Sequence, residues 1–178
     1  DPPVLEEHQR TGFLFVGRLS PEKGLPVLLD AWRSFGSGHV LSVAGTGPQA
    51  QLLNGLHGVR ALGAVRGEGV MSLMQQACAL VLPSICHEQF PRVLVEAMAC
   101  GLPVIASRLG ALGELVDDGR TGLLFNPGDA HDLSGDARGG NDRLAVAGKY
   151  NSLIGDAHDL SGDARGGNDR LIATGDAN

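Results

Sequence analysis

The sequence predicts an α/β fold built on a doubly wound parallel sheet, and three observations carry that prediction. Short apolar runs alternate with amphipathic segments along 12–125, the strand–helix alternation that places helices on both faces of a parallel sheet. Within that stretch, 79–107 (ALVLPSICHEQFPRVLVEAMACGLPVIAS) reads as strand, loop, helix and strand, with Pro91 opening the helix and Gly101 closing it. Roughly 20 residues make a compact βαβ crossover, which forces its two strands parallel. Third, the predicted strand exits carry GRLSPEKG, GTGP, GAVRG and PSICHEQF, glycine and polar residues at the end of an open parallel sheet where ligands bind.

The elements follow in order. Residues 1–11 are polar with a proline pair and read as a linker or N-terminal extension. FLFV at 13–16 is a short buried strand, and Leu25, Leu28, Leu29, Trp32 and Phe35 hold the spacing of one helical face. A strand at 39–45, a helix near 49–56, a strand at 59–63 and a helix at 70–77 lead into the 79–107 unit, whose second strand is 103–106. A turn at 117–120, with Gly119, precedes a last short strand, GLLF at 122–125.

The domain is therefore drawn as 12–133, and 134–178 as a Gly/Asp-rich tail. GDAHDLSGDARGGNDRL stands at 128–144 and again, letter for letter, at 155–171. Such identity points to a recent duplication or an artefact of sequence assembly, not to a solenoid of diverged repeats. Its composition is that of irregular chain, and His131 and His158, each followed by Asp, read as solvated and not as a metal pair.

A chain of 178 residues, 43% apolar and 4% aromatic, has the length of one domain with a real core. A formal charge of −6 with no Lys/Arg cluster argues against nucleic acid as a partner, while leaving room for a small anionic ligand held by a few placed cations. Cys78, Cys86 and Cys100 lack zinc-type spacing and are odd in number, which favours a reduced, cytoplasmic setting. No stretch reads as a signal peptide or spans a membrane, so a soluble protein is expected.

Two acids face the predicted crevice. Glu88 lies in the loop after the strand at 79–82; Glu96 lies about six residues into the next helix, roughly 9 Å along its axis. Helical side chains lean toward the N-terminus, so both carboxylates tend to the same mouth. The free N–H groups at that helix start suit a phosphate. Carboxylates on either side of an anion site make chemical sense if each accepts sugar hydroxyls. Alternatively, Glu96 only pairs with Arg92 four residues earlier, and Glu88 is a solvated loop acid. Arg18 and Lys23 supply a guanidinium and a compact ammonium at the first strand exit, which is what a diphosphate needs; the other reading is surface cations beside a helix. Lysine occurs at Lys23 and Lys149 alone, every other strong cation being arginine. Gly17, Gly24, Gly45 and Gly47 can be turn residues, and GxGxxG is missing. His87 could pass a proton or bond a sugar, or be merely exposed. No HExxH or DxD supports a metal.

Taken in order, FVGRLSPEKG, VAGTGP, VRALGAV, LPSICHEQFPRVLVEAMACGLPVIAS and LGALGELVDDGRTGLLFNPGDAHDL resemble the C-terminal, donor-binding half of group-1 (family 4) glycosyltransferases of the GT-B fold. The resemblance runs from Phe13 to about Leu133, and Glu88 and Glu96 match the family's E-x7-E signature. It implies a Rossmann-like, nucleotide-sugar-binding domain in which Arg18 and Lys23 bind the diphosphate and stabilise it as leaving group. With Glu88 beside the donor sugar, these form the catalytic set. It further implies that Glu96 holds the ribose hydroxyls, that Gly17, His87 and the chain at Gln89, Phe90, Pro91 and Arg92 touch the donor, and that the base rests near Gly45, Gly47, Arg60 and Leu62. Retention of anomeric configuration without a metal cofactor is implied too. Arg, Lys and a helix N-terminus can stabilise a departing diphosphate electrostatically.

Two departures limit the expectation. Gly113 replaces a proline common in the family before Glu114, which should loosen that loop. The family's acceptor-binding N-terminal domain, and the helices that follow GDAHDL, have no counterpart in these residues. Because proximity and water exclusion supply much of the rate of a two-substrate transfer, the isolated chain is expected to bind a nucleotide sugar weakly and not to transfer it. The full-length protein is expected to join the missing N-terminal domain and to associate peripherally with membranes. It would move a hexose-type sugar from a UDP-, GDP- or ADP-sugar to a glycan, lipid or small acceptor, as in polysaccharide biosynthesis. A GT-B nucleotide-sugar epimerase and a non-catalytic nucleotide-binding or interaction module are the alternatives.

Overall fold

The computed structural model describes residues 10–35, 38–88 and 90–134. The predicted extension up to residue 9, Gln89, the tail beyond Ser134 and the whole second repeat copy lie outside the described residues. Six strands, β1 (Phe13–Val16), β2 (Leu41–Ala44), β3 (Val59–Gly63), β4 (Ala79–Leu82), β5 (Val104–Ser107) and β6 (Gly122–Phe125), form one parallel sheet in the order β3-β2-β1-β4-β5-β6. Phe13 pairs with Leu41 on one side and with Ala79 on the other, so β1 and β4 are neighbours at the centre. From that pair the chain winds outward in both directions, and the gap beyond the carboxyl ends of β1 and β4 is the topological switch point.

Alternation along the strands divides the core in two. Phe13, Phe15, Val43, Val81, Ile105 and Phe125 face one side, where Leu25, Leu28, Leu29 and Trp32 of α1 (Leu25–Ser34) and Leu133 of α5 (Ala130–Ser134) cover them. Leu14, Leu80, Leu82, Val104, Ala106 and Leu124 face the other side, under Val70 and Met74 of α2 (Glu68–Gln76), Leu94 and Ala97 of α3 (Arg92–Ala99) and Leu112 of α4 (Gly110–Leu115). Burying each such Leu or Phe side chain contributes about 1.5–3 kcal/mol, and the two layers make the doubly wound architecture predicted from the alternation.

Three elements depart from the sequence reading. The helix near 49–56 is only a 3-10 turn, Ala50–Leu53. Asn54 is already extended and Gly55 adopts φ 71°, which ends the turn after Leu53 is buried. The segment holding Gly113 is not a loosened loop but the short helix α4, pinned by fully buried Leu112. The first repeat copy begins as α5 instead of irregular chain: Asp129 Oδ1 accepts the backbone N–H of His131 and of Asp132, at 3.0 and 2.9 Å. That is an N-cap, and Leu133 behind it is fully buried.

Candidate functional site

At the carboxyl ends of β1 and β4 lies a cavity of about 770 Å³. Val16, Gly17 and Arg18 line it from the end of β1, Lys23 from the following 3-10 turn, Val65, Arg66 and Gly67 from the loop before α2, and Glu88, Phe90, Pro91, Arg92, Val93 and Glu96 from the β4–α3 loop and the first turns of α3. The cations at this mouth outnumber the carboxylates, although the chain as a whole is acidic.

Its centre is an ion pair between loops far apart in sequence. Lys23 Nζ stands 2.9 Å from Glu88 Oε1, with the two side chains 29% and 16% exposed. The Ser84 hydroxyl donates to that same carboxylate oxygen. The backbone brings the loops together: the Ile85 N–H donates to the Glu22 carbonyl at 3.0 Å, and Gly24, at φ 70°, passes so near Pro83 that a side chain there would meet the Pro83 carbonyl. Beside Lys23, a hydrogen bond from Ser20 and the positive charges of Arg18 and Lys23 hold the Glu22 carboxyl below the usual carboxylate range.

α3 opens at the cavity. Pro91 precedes its first residue, and no side chain caps its N-terminus; the Leu94 N–H donates to the Pro91 carbonyl at 2.9 Å, while those of Arg92 and Val93 have no partner among the described residues and can meet an anion. Glu96 Oε1 lies 3.0 Å from Arg92 Nε, the intrahelical ion pair named as an alternative, with Arg92 87% and Glu96 32% exposed. A pair so open to water contributes at most a few tenths of a kcal/mol to the helix, and both members still line the cavity.

Of the residues singled out in the sequence, the fold thus brings together Gly17, Arg18, Lys23, Glu88, Phe90, Pro91, Arg92 and Glu96. Gly45 and Gly47 are placed differently. A Cβ on Gly45 would lie 1.8 Å from the Gly17 carbonyl oxygen, and one on Gly47 2.3 Å from that of Leu19. Both glycines serve a close backbone-to-backbone approach beside the mouth. Leu62 lies exposed on β3 outside the cavity lining. His87 sits against the start of α4, where a Cβ on Gly110 would come within 3.0 Å of its Nδ1. Arg60 is not brought to this mouth. It stands near the amino end of β3, opposite Ser42, and lines a separate cavity of about 400 Å³ at the amino ends of the strands with Arg10, His39 and Cys78.

Sequence reasoning missed Arg66, Val70 and Met71 as lining residues and Ser84 as a partner of Glu88. GAVRG was visible as a strand exit, but that α2 would carry its start back over β1 is a tertiary fact. Among the described residues, no three His, Cys, Asp or Glu side chains gather as a metal-ligand group, and no helix is long and apolar enough to cross a membrane.

The family model for glycosyl transferases group 1 matches residues 10–138. A phosphatidyl-myo-inositol mannosyltransferase of Mycobacterium leprae is 38% identical over 143 residues, 74% of this chain and 38% of its own length. A glycogen synthase of Mycobacterium tuberculosis is 36% identical over 158 residues, 82% of this chain and 38% of its own. Among solved structures, Anabaena HepE in complex with UDP-glucose matches with a TM-score of 0.62 at 27% identity, over 85% of this chain and 41% of that one. This chain spans well under half the length of each.

Proposed function

The chain belongs to the group 1 glycosyltransferases, and from that premise we propose that its cavity at the β1–β4 switch point binds the nucleoside-diphosphate sugar from which a retaining glycosyltransferase takes a hexose-type sugar. The observation that carries this reading is the Lys23–Glu88 pair, 2.9 Å apart, beside the uncapped N-terminus of α3. It gathers in one place a compact cation, free N–H groups and a carboxylate, which are the groups that hold a diphosphate and a sugar hydroxyl. That HepE was solved with UDP-glucose, and shares this fold, supports a nucleotide sugar as the ligand.

In this reading the bond between the anomeric carbon and the diphosphate oxygen breaks and its electron pair leaves with the diphosphate. Arg18, Lys23 and the α3 N-terminus offset the charge that develops there. The acceptor hydroxyl adds to the anomeric carbon on the face that the diphosphate leaves and gives up its proton to the departing diphosphate oxygen, so configuration is retained. Glu96 accepts ribose hydroxyls and Glu88 those of the sugar. The cations carry the neutralisation, so no metal cofactor is invoked. Since the relatives are more than twice as long as the stretch they share with this chain, the acceptor site belongs to residues beyond these 178, and transfer needs them. The acceptor itself, a glycan, lipid or small molecule, is set there.

Calorimetric titration of the chain with UDP, GDP and ADP, and with UDP-glucose, GDP-mannose and ADP-glucose, tests the reading. Binding of at least one diphosphate, weakened about tenfold or more by Lys23→Ala, is the expected result. No heat from any of the six would end it.

A further inference from the structure

We propose that Ser84 is a positioning residue, which fixes the Glu88 carboxylate so that its second oxygen is presented to the donor sugar; this rests on the donor-binding reading above. Ser84 follows Pro83 at the carboxyl end of β4 and is 2% exposed. Its hydroxyl donates to Glu88 Oε1, the oxygen that Lys23 Nζ approaches to 2.9 Å. The hydroxyl and the ammonium therefore meet one oxygen, and Glu88 Oε2 has no hydrogen bond among the described residues. An ionised carboxylate accepts at both oxygens, so Oε2 is the one left for sugar hydroxyls.

The two groups are not equivalent once a ligand arrives. Lys23 also lines the cavity, and a diphosphate there competes with Glu88 for its ammonium. Ser84 is neutral, buried and two residues past the end of a central strand, so the ligand's charge does not draw it away. It keeps Glu88 in place when the Lys23 ammonium turns from the carboxylate toward phosphate. The rest of the loop offers little help, since Ile85 is 48% and Phe90 67% exposed.

The test compares, by calorimetry on the same chain, the affinity for each diphosphate (UDP, GDP, ADP) with that for its sugar (UDP-glucose, GDP-mannose, ADP-glucose). Ser84→Ala is expected to shift the sugar-to-diphosphate affinity ratio about tenfold against the sugar, with diphosphate affinity held within about twofold of wild type. Ser84→Thr, which keeps the hydroxyl, should restore the ratio. Should Ser84→Ala fail to fold, Ser84→Cys, nearly isosteric but a weak donor, decides by the same shift. A ratio unchanged while wild type binds both ligands overturns the role of Ser84. A wild-type chain that binds none of the six overturns the donor-site reading, and Ser84 with it.

Discussion

Gly24 and Pro83 meet backbone to backbone: a Cβ on Gly24 would lie 1.7 Å from the Pro83 carbonyl oxygen, and Gly24 itself adopts φ 70°. This contact joins the loop carrying Lys23 to the loop carrying Glu88. Gly63 has nearly the same φ, 66°, with nothing near its missing Cβ. Gly63→Ala should therefore cost only the left-handed strain of about 1–2 kcal/mol. Gly24→Ala adds a clash that no side-chain rotation relieves, so it should cost at least about 2 kcal/mol more and weaken diphosphate binding as the loops part. Urea denaturation of the two variants measures the difference. Equal losses would mean that the loops separate freely.

Lys23→Met should leave stability within about 1 kcal/mol, because a partly exposed ion pair contributes little, yet reduce affinity for inorganic pyrophosphate about tenfold or more. Lys23→Arg should not recover it, since a longer planar fork does not fit a place shaped for a compact ammonium beside Glu88. Raising ionic strength should weaken wild-type binding more than that of Lys23→Met. Full binding by Lys23→Met would remove the ammonium from the site.

Glu96 and Arg92 form an exposed pair one helical turn apart, so Arg92→Gln and Glu96→Gln should each shift the urea midpoint by no more than about 0.5 kcal/mol in equivalent stability. Nucleotide binding separates them from a purely structural pair. If Glu96 holds ribose hydroxyls, Glu96→Gln weakens nucleoside diphosphate binding about tenfold and leaves inorganic pyrophosphate binding in place. If both ligands bind to Glu96→Gln as to wild type, the ion pair is all that Glu96 does.

Chelation tests how the diphosphate is neutralised. With Arg18, Lys23 and the α3 N-terminus serving that purpose, excess EDTA should leave the affinity for a nucleoside diphosphate within about twofold of its value in magnesium, less than the factor that 1 kcal/mol represents. A tenfold loss in EDTA would show that a divalent cation shares the work.

How much was legible follows from the range over which each signal acts. The strand runs, the α1 face through Leu25, Leu28, Leu29 and Trp32, and the Pro91 to Gly101 helix were readable because period and punctuation are local. The grouping of Arg18, Lys23, Glu88 and Glu96 at one mouth was readable because parallel connectivity puts strand exits on one edge. Arg60 stands apart from that mouth because it is the second residue of β3, opposite Ser42, and so lies toward the amino end of a sheet whose mouth is at the carboxyl ends. Ser84 was hidden because its hydrogen bond needs the loop to fold back over four residues. α4 was hidden because Gly113 suggests only a loosened loop until Leu112 finds its buried place.

The cysteines give a pH prediction. Burial pushes the Cys78 thiol above its ordinary value of 9.0, against smaller opposing effects of the Gly12 backbone and Arg10. Burial likewise pushes Cys100 up, with Glu96 adding to it and Arg10 opposing. A raised folded pKa means that the folded chain holds these protons after the unfolded chain has released its own. Below about pH 9 both states keep the thiols neutral and the groups do not affect the balance. As pH rises through 9 toward the folded values, the unfolded state binds fewer protons and stability falls. The urea midpoint should therefore drop between pH 8 and pH 10, and Cys78→Ala should make that drop shallower. At pH 8, Ellman's reagent should modify Cys86, on the partly exposed β4–α3 loop, before Cys78, whose thiol donates to the Arg10 carbonyl at 3.2 Å and must first be exposed to ionise. A slope unchanged in Cys78→Ala, together with Cys78 reacting as fast as Cys86, would show that the amino ends of β1 and β4 open readily in solution and do not shield this thiol.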